Sequence, residues 1–361
     1  VIKAHKKFAV PTMRRSSRIF PVDVNPGKAV ALRAFLLLCR NVTQYFIDLF
    51  WQRGDRSAAL SDLKTVHRGR DRFAITTRLA QALAKQAKEA VRAVTDGRRP
   101  KKRRPTVTLY SHFVQVSKFD GSFDYALCLI GSGAPRMTIP FKSTTHLNRL
   151  LADGWQISKS VRLGIIGNRL FVDLLLEKPR PAKRVDGAVV GMDSNYKAGF
   201  VFSDGQVVGA DAYNKIAAFA KRQKHTHAEI KSLVGQAVKQ IDWSNIKLLC
   251  VEDLKRVKFN TRGKFPRSLN RRLSHWLYAY AMDLLNRHCE EQGVRLERKD
   301  PWKTSQYCRF CGKWDRRNRR GDRFKCVHCS QPDHADHNAS KNLELLGLAG
   351  VYSLRSLPSP G

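Results

Sequence analysis

The chain has 361 residues, with 67 lysines and arginines against 30 aspartates and glutamates, so its formal net charge at pH 7 is +37. A charge excess of that size repels itself in a compact fold and indicates a polyanionic partner, with nucleic acid as the first candidate. Hydrophobic residues at 42% and aromatic residues at 9% exclude a disordered basic tail. The length suggests roughly two or three domains. A basic binding protein without chemistry and an enzyme both stay open at this point.

The sequence favours a soluble, intracellular protein with no membrane partner. The N-terminal region is basic but lacks the apolar stretch of a secretory signal, and Val1 in place of Met leaves a trimmed start open. The longest unbroken apolar runs, such as Ala34 to Cys39, are far shorter than the roughly 20 residues that a membrane-spanning helix needs.

Residues 26–97 have helical periodicity. Pro26 fits the start of a first helix, and an alanine-rich helix is predicted from Thr77 to Val94. The polar face of the second helix is either a phosphate-binding surface or merely solvated. Its cations are Arg78, Lys85, Lys88 and Arg92.

Residues 98–104 mark a boundary, because six of the seven are cationic and the seventh is proline. Such a run cannot bury itself, so it is predicted to be a flexible phosphate-binding segment or a linker. The cations concerned are Arg98, Arg99, Lys101, Lys102, Arg103 and Arg104.

After this run the hydrophobic period changes to two, which indicates β-strands. Arg136–Phe141 is predicted to be a strand, and Ser160–Glu177 a hairpin with Gly167-Asn168 as its turn. The pattern predicts a small antiparallel β-barrel that the helical block interrupts in sequence. A proline-containing linker follows at 178–184.

From Val185 the pattern becomes mixed α/β. A turn is predicted at Ser194–Lys197, helical periodicity covers Ala212–Gln240, and a long helix is predicted at Leu269–Gln292. The predicted strands are Val185–Asp193, Ala198–Ser203, Gln206–Ala210, Ile246–Glu252 and Val294–Arg298.

Three carboxylates are candidate catalytic residues. Asp193 and Glu252 end apolar strands, and Asp336 precedes the predicted helix Asn338–Leu346. An acid after buried residues is costly unless a positive group such as a metal ion offsets it. Phosphodiester cleavage commonly uses two divalent ions about 3.5–4 Å apart, held by several carboxylates. The trio therefore predicts a site for two divalent ions, although Asp193 alone could be structural and Asp336 an N-cap.

Four of the eight cysteines have the spacing of a zinc site. Two Cys-x2-Cys pairs are separated by fourteen residues, and two such pairs complete a tetrahedral site. Four thiolates leave no open position, so one structural zinc is predicted, with His328 and His334 as alternative ligands. The cysteines are Cys308, Cys311, Cys326 and Cys329.

The loop between the two cysteine pairs is strongly basic. Its cations are predicted to bind a phosphate backbone, and a merely solvated loop is the alternative. They include Arg316, Arg317, Arg319 and Arg320.

The motifs occur in a specific order: Gly-Met-Asp193, then Val-Glu252-Asp-Leu, then Trp-Lys-Thr-Ser-Gln-Tyr-Cys308, a second cysteine pair, and Ala-Asp336-His-Asn-Ala-Ser-Lys-Asn. Over roughly residues 185–346 this string resembles the transposon-encoded TnpB nucleases and the type V CRISPR effectors. The resemblance implies a multidomain α/β plus β protein. Its RNase H-like (RuvC) nuclease domain would contain an inserted zinc ribbon and follow a β-barrel wedge domain with a helical recognition insertion.

The resemblance also implies an activity. It implies a prokaryotic, cytoplasmic, nucleoid-associated RNA-guided DNA endonuclease, with guide RNA and target double-stranded DNA as partners. Asp193, Glu252 and Asp336 would be its catalytic, magnesium-binding residues. An RNA-guided repressor without cleavage and a guide-free nuclease or recombinase stay open. The implied segments are wedge 1–25 and 98–184, recognition 26–97, nuclease 185–302, ribbon 303–330, and last helix with tail 331–361.

Three features depart from the family pattern. Ser194, Asn195 and Tyr196 follow the first acid, where Leu-Gly and similar residues are usual. The first two acids are only 59 residues apart, and His337 stands where an apolar residue is typical. All three acids are retained, so the departures concern substrate loading or efficiency.

Overall fold

The computed structural model divides the chain into two compact units, Val1–Pro179 and Arg180–Gly361. The finer division into six segments stays a prediction. The residues that the structure describes are 11–21, 24–54, 62–95, 97–119, 121–131, 133–195, 199–222, 227–254 and 278–357.

Short polar side chains cap the helices of the first unit. Asn25 accepts a hydrogen bond from the Gly27 N–H group ahead of a proline at the first helical position, and Thr76 accepts one from the Leu79 N–H group. The two predicted helices are confirmed. The helices are α1 (Pro26–Gln52), α2 (Leu63–Phe73), α3 (Thr77–Arg92) and α4 (Thr145–Ala152).

Helix α1 is long and apolar enough, by length and composition alone, to cross a membrane. Nine of its residues are buried, and side chains such as Leu36 and Phe46 belong to the hydrophobic core of the unit. The core helix of a soluble protein passes the same test of length and composition, so this finding is weak evidence for a membrane span.

The strands of the first unit form two antiparallel sheets. They have the orders β1-β7-β6-β2 and β3-β4-β5, and the predicted hairpin turn at Gly167-Asn168 is confirmed. The described strands form two separate sheets, so the predicted barrel stays a prediction. The strands are β1 (Thr12–Ile19), β2 (Thr106–Tyr110), β3 (Val114–Lys118), β4 (Tyr125–Leu129), β5 (Met137–Phe141), β6 (Gln156–Ile166) and β7 (Arg169–Pro179).

A five-stranded mixed sheet is the centre of the second unit. Its order is β10-β9-β8-β11-β12, in which β8, β9 and β10 are antiparallel neighbours and β8, β11 and β12 are parallel. The strands are β8 (Ala188–Asn195), β9 (Gly199–Phe202), β10 (Val207–Val208), β11 (Ile246–Glu252) and β12 (Arg295–Lys299). The helices are α5 (Ala210–Arg222), α6 (His227–Lys239), α7 (Tyr278–Gln292) and α8 (Ala335–Leu348).

Several boundaries differ from the predictions in this unit. The strand predicted at Gln206–Ala210 is shorter, because only Val207 and Val208 pair with β9 and Ala210 begins α5. The turn predicted from Ser194 is wrong at its start, because Ser194 and Asn195 pair with β9 and extend strand β8. The predicted helix from Leu269 is confirmed from Tyr278 onward, and its earlier part lies outside the described residues.

Helix α8 packs directly on the strands that carry the candidate acids. Alternate residues of β8 face opposite sides of the sheet, so Val190 and Met192 join the core with α5, α6 and α7, while Val189 and Gly191 face α8. A Cβ atom on Gly191 would lie 1.9 Å from the Ser340 carbonyl oxygen. The absence of a side chain at this position therefore allows α8 to contact the sheet backbone.

The cysteine-containing segment forms a small antiparallel ribbon. Its strands are β13 (Arg319–Arg320), β14 (Arg323–Lys325) and β15 (Pro332–His334), in that order across the sheet. Strand β15 leads directly into α8, so the ribbon fixes where that helix begins.

Candidate active site and cysteine ribbon

The sheet register delivers two of the candidate acids side by side. Met192 pairs with Val251 in the parallel strands β8 and β11, so the next residues, Asp193 and Glu252, emerge at the same edge. They alternate with core-facing neighbours and therefore lie on the face that α8 covers. The third acid, Asp336, belongs to the first turn of α8.

Asp336 is not the N-cap of α8. His334 occupies that position, and its Nδ1 atom accepts a hydrogen bond from the Asp336 N–H group at 3.3 Å. The Asp336 carboxylate is therefore not needed for capping, although it is only 1% exposed. The Asp336 side chain can therefore approach Asp193 and Glu252 at the edge of the sheet.

The surroundings of the acids oppose their ionisation. Burial raises the pKa of Asp193 well above its ordinary value, and the charges of Glu252 and Asp336 and a hydrogen bond with Asp336 raise it further. Burial also raises the pKa of Glu252, against the opposing effects of a hydrogen bond from Thr304 and the charge of Arg319. A bound cation would reverse both effects by stabilising the ionised carboxylates.

Two polar side chains that were not predicted as site residues orient these acids. Asn195 donates a hydrogen bond from Nδ2 to Asp336 Oδ2 at 2.7 Å, and the Thr304 hydroxyl donates to Glu252 Oε1. Asn195 lies two residues after Asp193 and Thr304 lies four residues before Cys308, so both belong to motifs that the sequence contains. Sequence alone does not show which polar side chains in such motifs point inward. The other Asp336 oxygen, Oδ1, is buried and has no hydrogen-bond partner among the described residues.

Arg319 lies beside the carboxylates. Its guanidinium NH2 atom is 3.8 Å from Asp336 Oδ1, and its charge also acts on Asp193 and Glu252. From its sequence position Arg319 is predicted to be one of the phosphate-binding arginines of the ribbon loop. Its position in β13 instead brings it to the edge of the acidic cluster.

Two buried amides of α8 hold the start of the ribbon. Asn338 and Asn342 each donate a hydrogen bond to the Tyr307 carbonyl oxygen at 2.8 Å, and Asn342 also donates to the Thr304 carbonyl oxygen at 2.7 Å. Because the Thr304 hydroxyl contacts Glu252, these bonds connect α8 with strand β11. The asparagines are one helical turn apart, so they share a face.

The four predicted cysteines lie together. All four Sγ atoms are within 4.8 Å of one another, and the Cys308–Cys329 and Cys311–Cys326 Sγ atoms are 3.6 and 3.5 Å apart. A tetrahedral zinc with Zn–S bonds near 2.3 Å requires Sγ separations of about 3.8 Å. The donor set and its spacing therefore fit a zinc ion.

The two cysteine knuckles have the same backbone geometry. The N–H group of the residue after each second cysteine donates to the carbonyl oxygen of the first cysteine, Gly312 to Cys308 and Ser330 to Cys326, both at 2.9 Å. Gly312 and Ser330 both have positive φ angles, 68° and 63°. This turn aims the two thiols of a pair at one point.

The ribbon favours the ionised form of one thiol. Burial opposes ionisation of Cys326, but backbone N–H groups of Cys329 and His328 and neighbouring thiols lower its pKa to about 7.

The described residues provide no comparably tight group of metal-ligand atoms outside the four cysteines, and the three carboxylates are spaced more widely. The alternative ligand His334 instead caps α8.

Most of the predicted phosphate-binding cations are exposed. Lys88 is an exception and its predicted outward position is wrong: it is 2% exposed, with Nζ 5.6 Å from the centre of the Phe50 ring. It belongs to the buried stripe of α3 with Ala84 and Val91, and its aliphatic part packs there. The exposed cations are Arg78, Lys85, Arg92, Arg98, Arg99, Lys101, Arg103, Arg104, Arg316, Arg317 and Arg320.

The basic segment 98–104 is anchored to α1 rather than free. Arg99 forms an ion pair with Asp48 at 3.4 Å, and the Lys102 N–H group donates to Gln44 Oε1 at 2.7 Å. Lys102 is half-buried, so its contacts differ from those of the exposed cations around it. Two residues of the segment are therefore held by α1, and its role as a phosphate-binding segment or a linker stays a prediction.

Comparison with known proteins finds a family match over the ribbon and the helices on either side of it. Residues 278–343 match the family described as Cas12f1-like, TNB domain. This region includes the ribbon and most of α8, so the predicted resemblance to the TnpB and type V effector family is confirmed.

Two individual relatives specify the resemblance further. The CRISPR-associated endodeoxyribonuclease Cas12f1 of Sulfoacidibacillus thermotolerans is 30% identical over 133 residues, which are 37% of this chain and 28% of that protein. A cryo-EM structure of the Cas12f1–sgRNA–target DNA complex aligns with a TM-score of 0.56 at 13% identity, covering 89% of this chain and 83% of that chain. The second match shows similarity of fold.

Proposed function

We propose that the chain is an RNA-guided DNA endonuclease with a RuvC-like site. The observation that carries the proposal is the meeting of three carboxylates from β8, β11 and α8 in surroundings that oppose their ionisation. Perturbed carboxyl groups that converge from separate elements are typical of catalytic sites. Guide RNA and target DNA are the proposed partners, in a prokaryotic cytoplasm, because the relatives' names carry these activities and ligands.

The fold supports an RNase H-like assignment for the second unit. Three antiparallel strands continue into two parallel ones, and the acids come from the central pair of strands and from a helix packed on them. The sheets and helices of the first unit are the proposed wedge and recognition segments. The ribbon is proposed to hold one structural zinc, because four thiolates fill its coordination.

The residues around the acids suggest how the site works. Two Mg²⁺ ions, when bound, would activate a water molecule and stabilise the leaving oxygen. Asp193, Glu252 and Asp336 would hold them, and the buried Oδ1 atom of Asp336, which accepts no hydrogen bond within the described residues, fits that role. Thr304 and Asn195 orient the carboxylates, so little reorganisation is needed on binding. Arg319, whose guanidinium lies beside Asp336, would bind an oxygen of the scissile phosphate.

The test is cleavage of a plasmid by the full chain with an RNA whose guide matches the plasmid. We expect Asp193→Ala to lower the cleavage rate about a thousandfold or more, because it removes a ligand of the catalytic cluster. Asp283→Ala is the matched control, since Asp283 is an exposed acid on α7 paired with Arg287.

Three results would contradict parts of the proposal. A plasmid that stays intact with both the parent chain and Asp193→Ala would favour an RNA-guided repressor. Full cleavage by protein free of nucleic acid would favour a guide-free nuclease. Cleavage that Asp193→Ala leaves unchanged would exclude the carboxylate cluster as the catalytic site.

A further inference from the structure

A cavity of about 270 Å³ opens on the four-stranded sheet of the first unit, on the face opposite its hydrophobic core. It is lined by four cations, Arg18, Lys102, Arg104 and Arg162, together with hydroxyl groups and the Phe171 ring. We call it the cation pocket. Nothing in the carboxylate site or the ribbon uses these residues.

The sheet register builds the floor of the cation pocket. Asp173 of β7 pairs with Arg18 of β1 on one side and with Arg162 of β6 on the other. In the adjacent row, a Cβ atom on Gly164 would lie 2.5 Å from Phe171 Cζ and 2.6 Å from a methyl carbon of Thr106. Glycine at 164 therefore allows these side chains to occupy the floor.

The cation pocket holds more positive charge than its neighbours neutralise. Asp173 binds Arg18 with two hydrogen bonds of 2.6 and 2.8 Å. The side chains of Arg104 and Arg162 form no hydrogen bond or ion pair within the described part of the chain, and no carboxylate is among the described lining residues. Burial lowers the pKa of Lys102, and the charge of Arg162 lowers it further. An anion in the pocket would relieve that repulsion.

We propose that the cation pocket binds one phosphate group of a nucleic-acid strand, with Lys102, Arg104 and Arg162 as its ligands. The proposal rests on the proposed function only in taking nucleic acid as the source of the phosphate. A phosphate offers several acceptor oxygens in different directions, which suits cations contributed by the 98–104 segment and by a sheet strand. The Thr106 hydroxyl accepts a hydrogen bond from Lys102 Nζ at 2.9 Å, so its own hydrogen is free for a further acceptor.

The test measures binding of a fluorescein-labelled single-stranded 20-nucleotide RNA by the full chain, by anisotropy at several KCl concentrations without magnesium. We expect Arg104→Gln and Arg162→Gln each to weaken binding about tenfold and to reduce the slope of log affinity against log salt by about 0.7, the loss of one phosphate contact. The double variant should resemble either single variant, because all three lose the same phosphate.

Two controls isolate the pocket from general charge. Arg136→Gln removes another exposed arginine, which lies outside the pocket, and should change affinity less than twofold. Arg162→Lys keeps the charge and should keep the salt slope of the parent chain. Circular dichroism melts confirm that each variant is folded.

The source of the phosphate is distinguished by the probes. RNA with a 5′-phosphate is compared with RNA ending in a 5′-hydroxyl group, and with DNA of the same sequence. If the variants weaken binding of the phosphorylated RNA alone, the phosphate in the pocket is a terminal one. If they weaken binding of all three probes, it is a phosphate of the backbone that RNA and DNA share. Both results support the pocket.

Losses in Arg162→Gln equal to those in Arg136→Gln, or additive losses in the double variant, would overturn the proposal. The assay scores no cleavage, so its outcome is separate from that of the nuclease. Pocket-dependent binding by a chain that never cuts would leave the pocket intact and refute the endonuclease.

Discussion

Asp193 is a carboxylate at a position in the fold where its ionised form is disfavoured. It is 9% exposed, and two further acids contribute to the rise of its pKa. A carboxyl group with a raised folded-state pKa binds a proton more tightly in the folded than in the unfolded chain. The group therefore contributes stability to the folded chain at pH values below its unfolded-state pKa. That contribution is lost as the pH rises through its folded-state pKa.

We expect Asp193→Asn to raise the free energy of unfolding at pH 7 by about 1–2 kcal/mol in buffer without magnesium, because it removes a repelled, buried charge. The gain should shrink as pH falls, and be gone by pH 4, because the raised pKa of Asp193 means that the parent chain has already protonated this carboxylate by then. Thermal unfolding followed by circular dichroism at pH 4 to 8 measures both effects.

Asp283→Asn is the matched control for this pH dependence. Asp283 is half exposed and pairs with Arg287 one helical turn away, so its substitution should change stability by less than about 0.5 kcal/mol. A destabilised Asp193→Asn at pH 7 would show that the cluster is already neutralised without magnesium.

At the scale of elements, the approach of α8 to strand β8 sets the position of Asp336. We expect Gly191→Ala to destabilise the second unit by about 3 kcal/mol, because the new methyl group would overlap the helix backbone at Ser340 and Glu344. Cleavage should fall as well, since α8 carries Asp336. Thermal unfolding and the plasmid assay measure the two effects.

Gly235→Ala tests whether any added methyl group has this effect. Gly235 lies within α6, and a Cβ atom there would meet no atom within 4 Å. Alanine favours the helix over glycine, so stability should rise by up to about 1 kcal/mol. Equal responses of Gly191→Ala and Gly235→Ala would mean that α8 is free to move away from the sheet.

The ribbon is the second element on which Asp336 depends, because β15 runs directly into α8. We expect one zinc per chain, and its loss in Cys326→Ser, with a lower unfolding temperature, because three thiolates cannot complete the tetrahedral site. Elemental analysis by mass spectrometry measures the zinc content. Cys128→Ser alters a half-buried cysteine of β4 and should keep full zinc; full zinc in Cys326→Ser would exclude the ribbon as its site.

Local patterns predicted the elements better than the contacts between them. Apolar runs that end in Asp193 and Glu252 and the two cysteine spacings are properties of short segments, and the structure contains both features. The contact between Thr304 and Glu252 joins residues 52 apart in sequence, so periodicity could not reveal it. The outward position predicted for Lys88 is wrong because its helical position lies on the buried stripe of α3, where its aliphatic part packs in spite of its charge.

At the scale of the whole molecule, both units are basic. Residues 1–179 contain 33 basic and 12 acidic residues, and residues 180–361 contain 34 and 18. The excess is therefore not confined to one binding surface. Such a distribution suits a partner that contacts both units, and it implies electrostatic repulsion within each unit when no polyanion is bound.

We expect the unfolding temperature of the nucleic-acid-free chain to rise by several degrees between 50 and 500 mM KCl, because salt screens repulsion among like charges. The RNA complex should respond in the opposite direction, since salt weakens phosphate contacts and with them the stabilisation that binding provides. Differential scanning fluorimetry of both forms measures the two slopes, and sorbitol at matched osmolality controls for general effects of added solute. An unfolding temperature of the free chain that does not depend on KCl would mean that its cations lie too far apart, or too well paired, to repel one another.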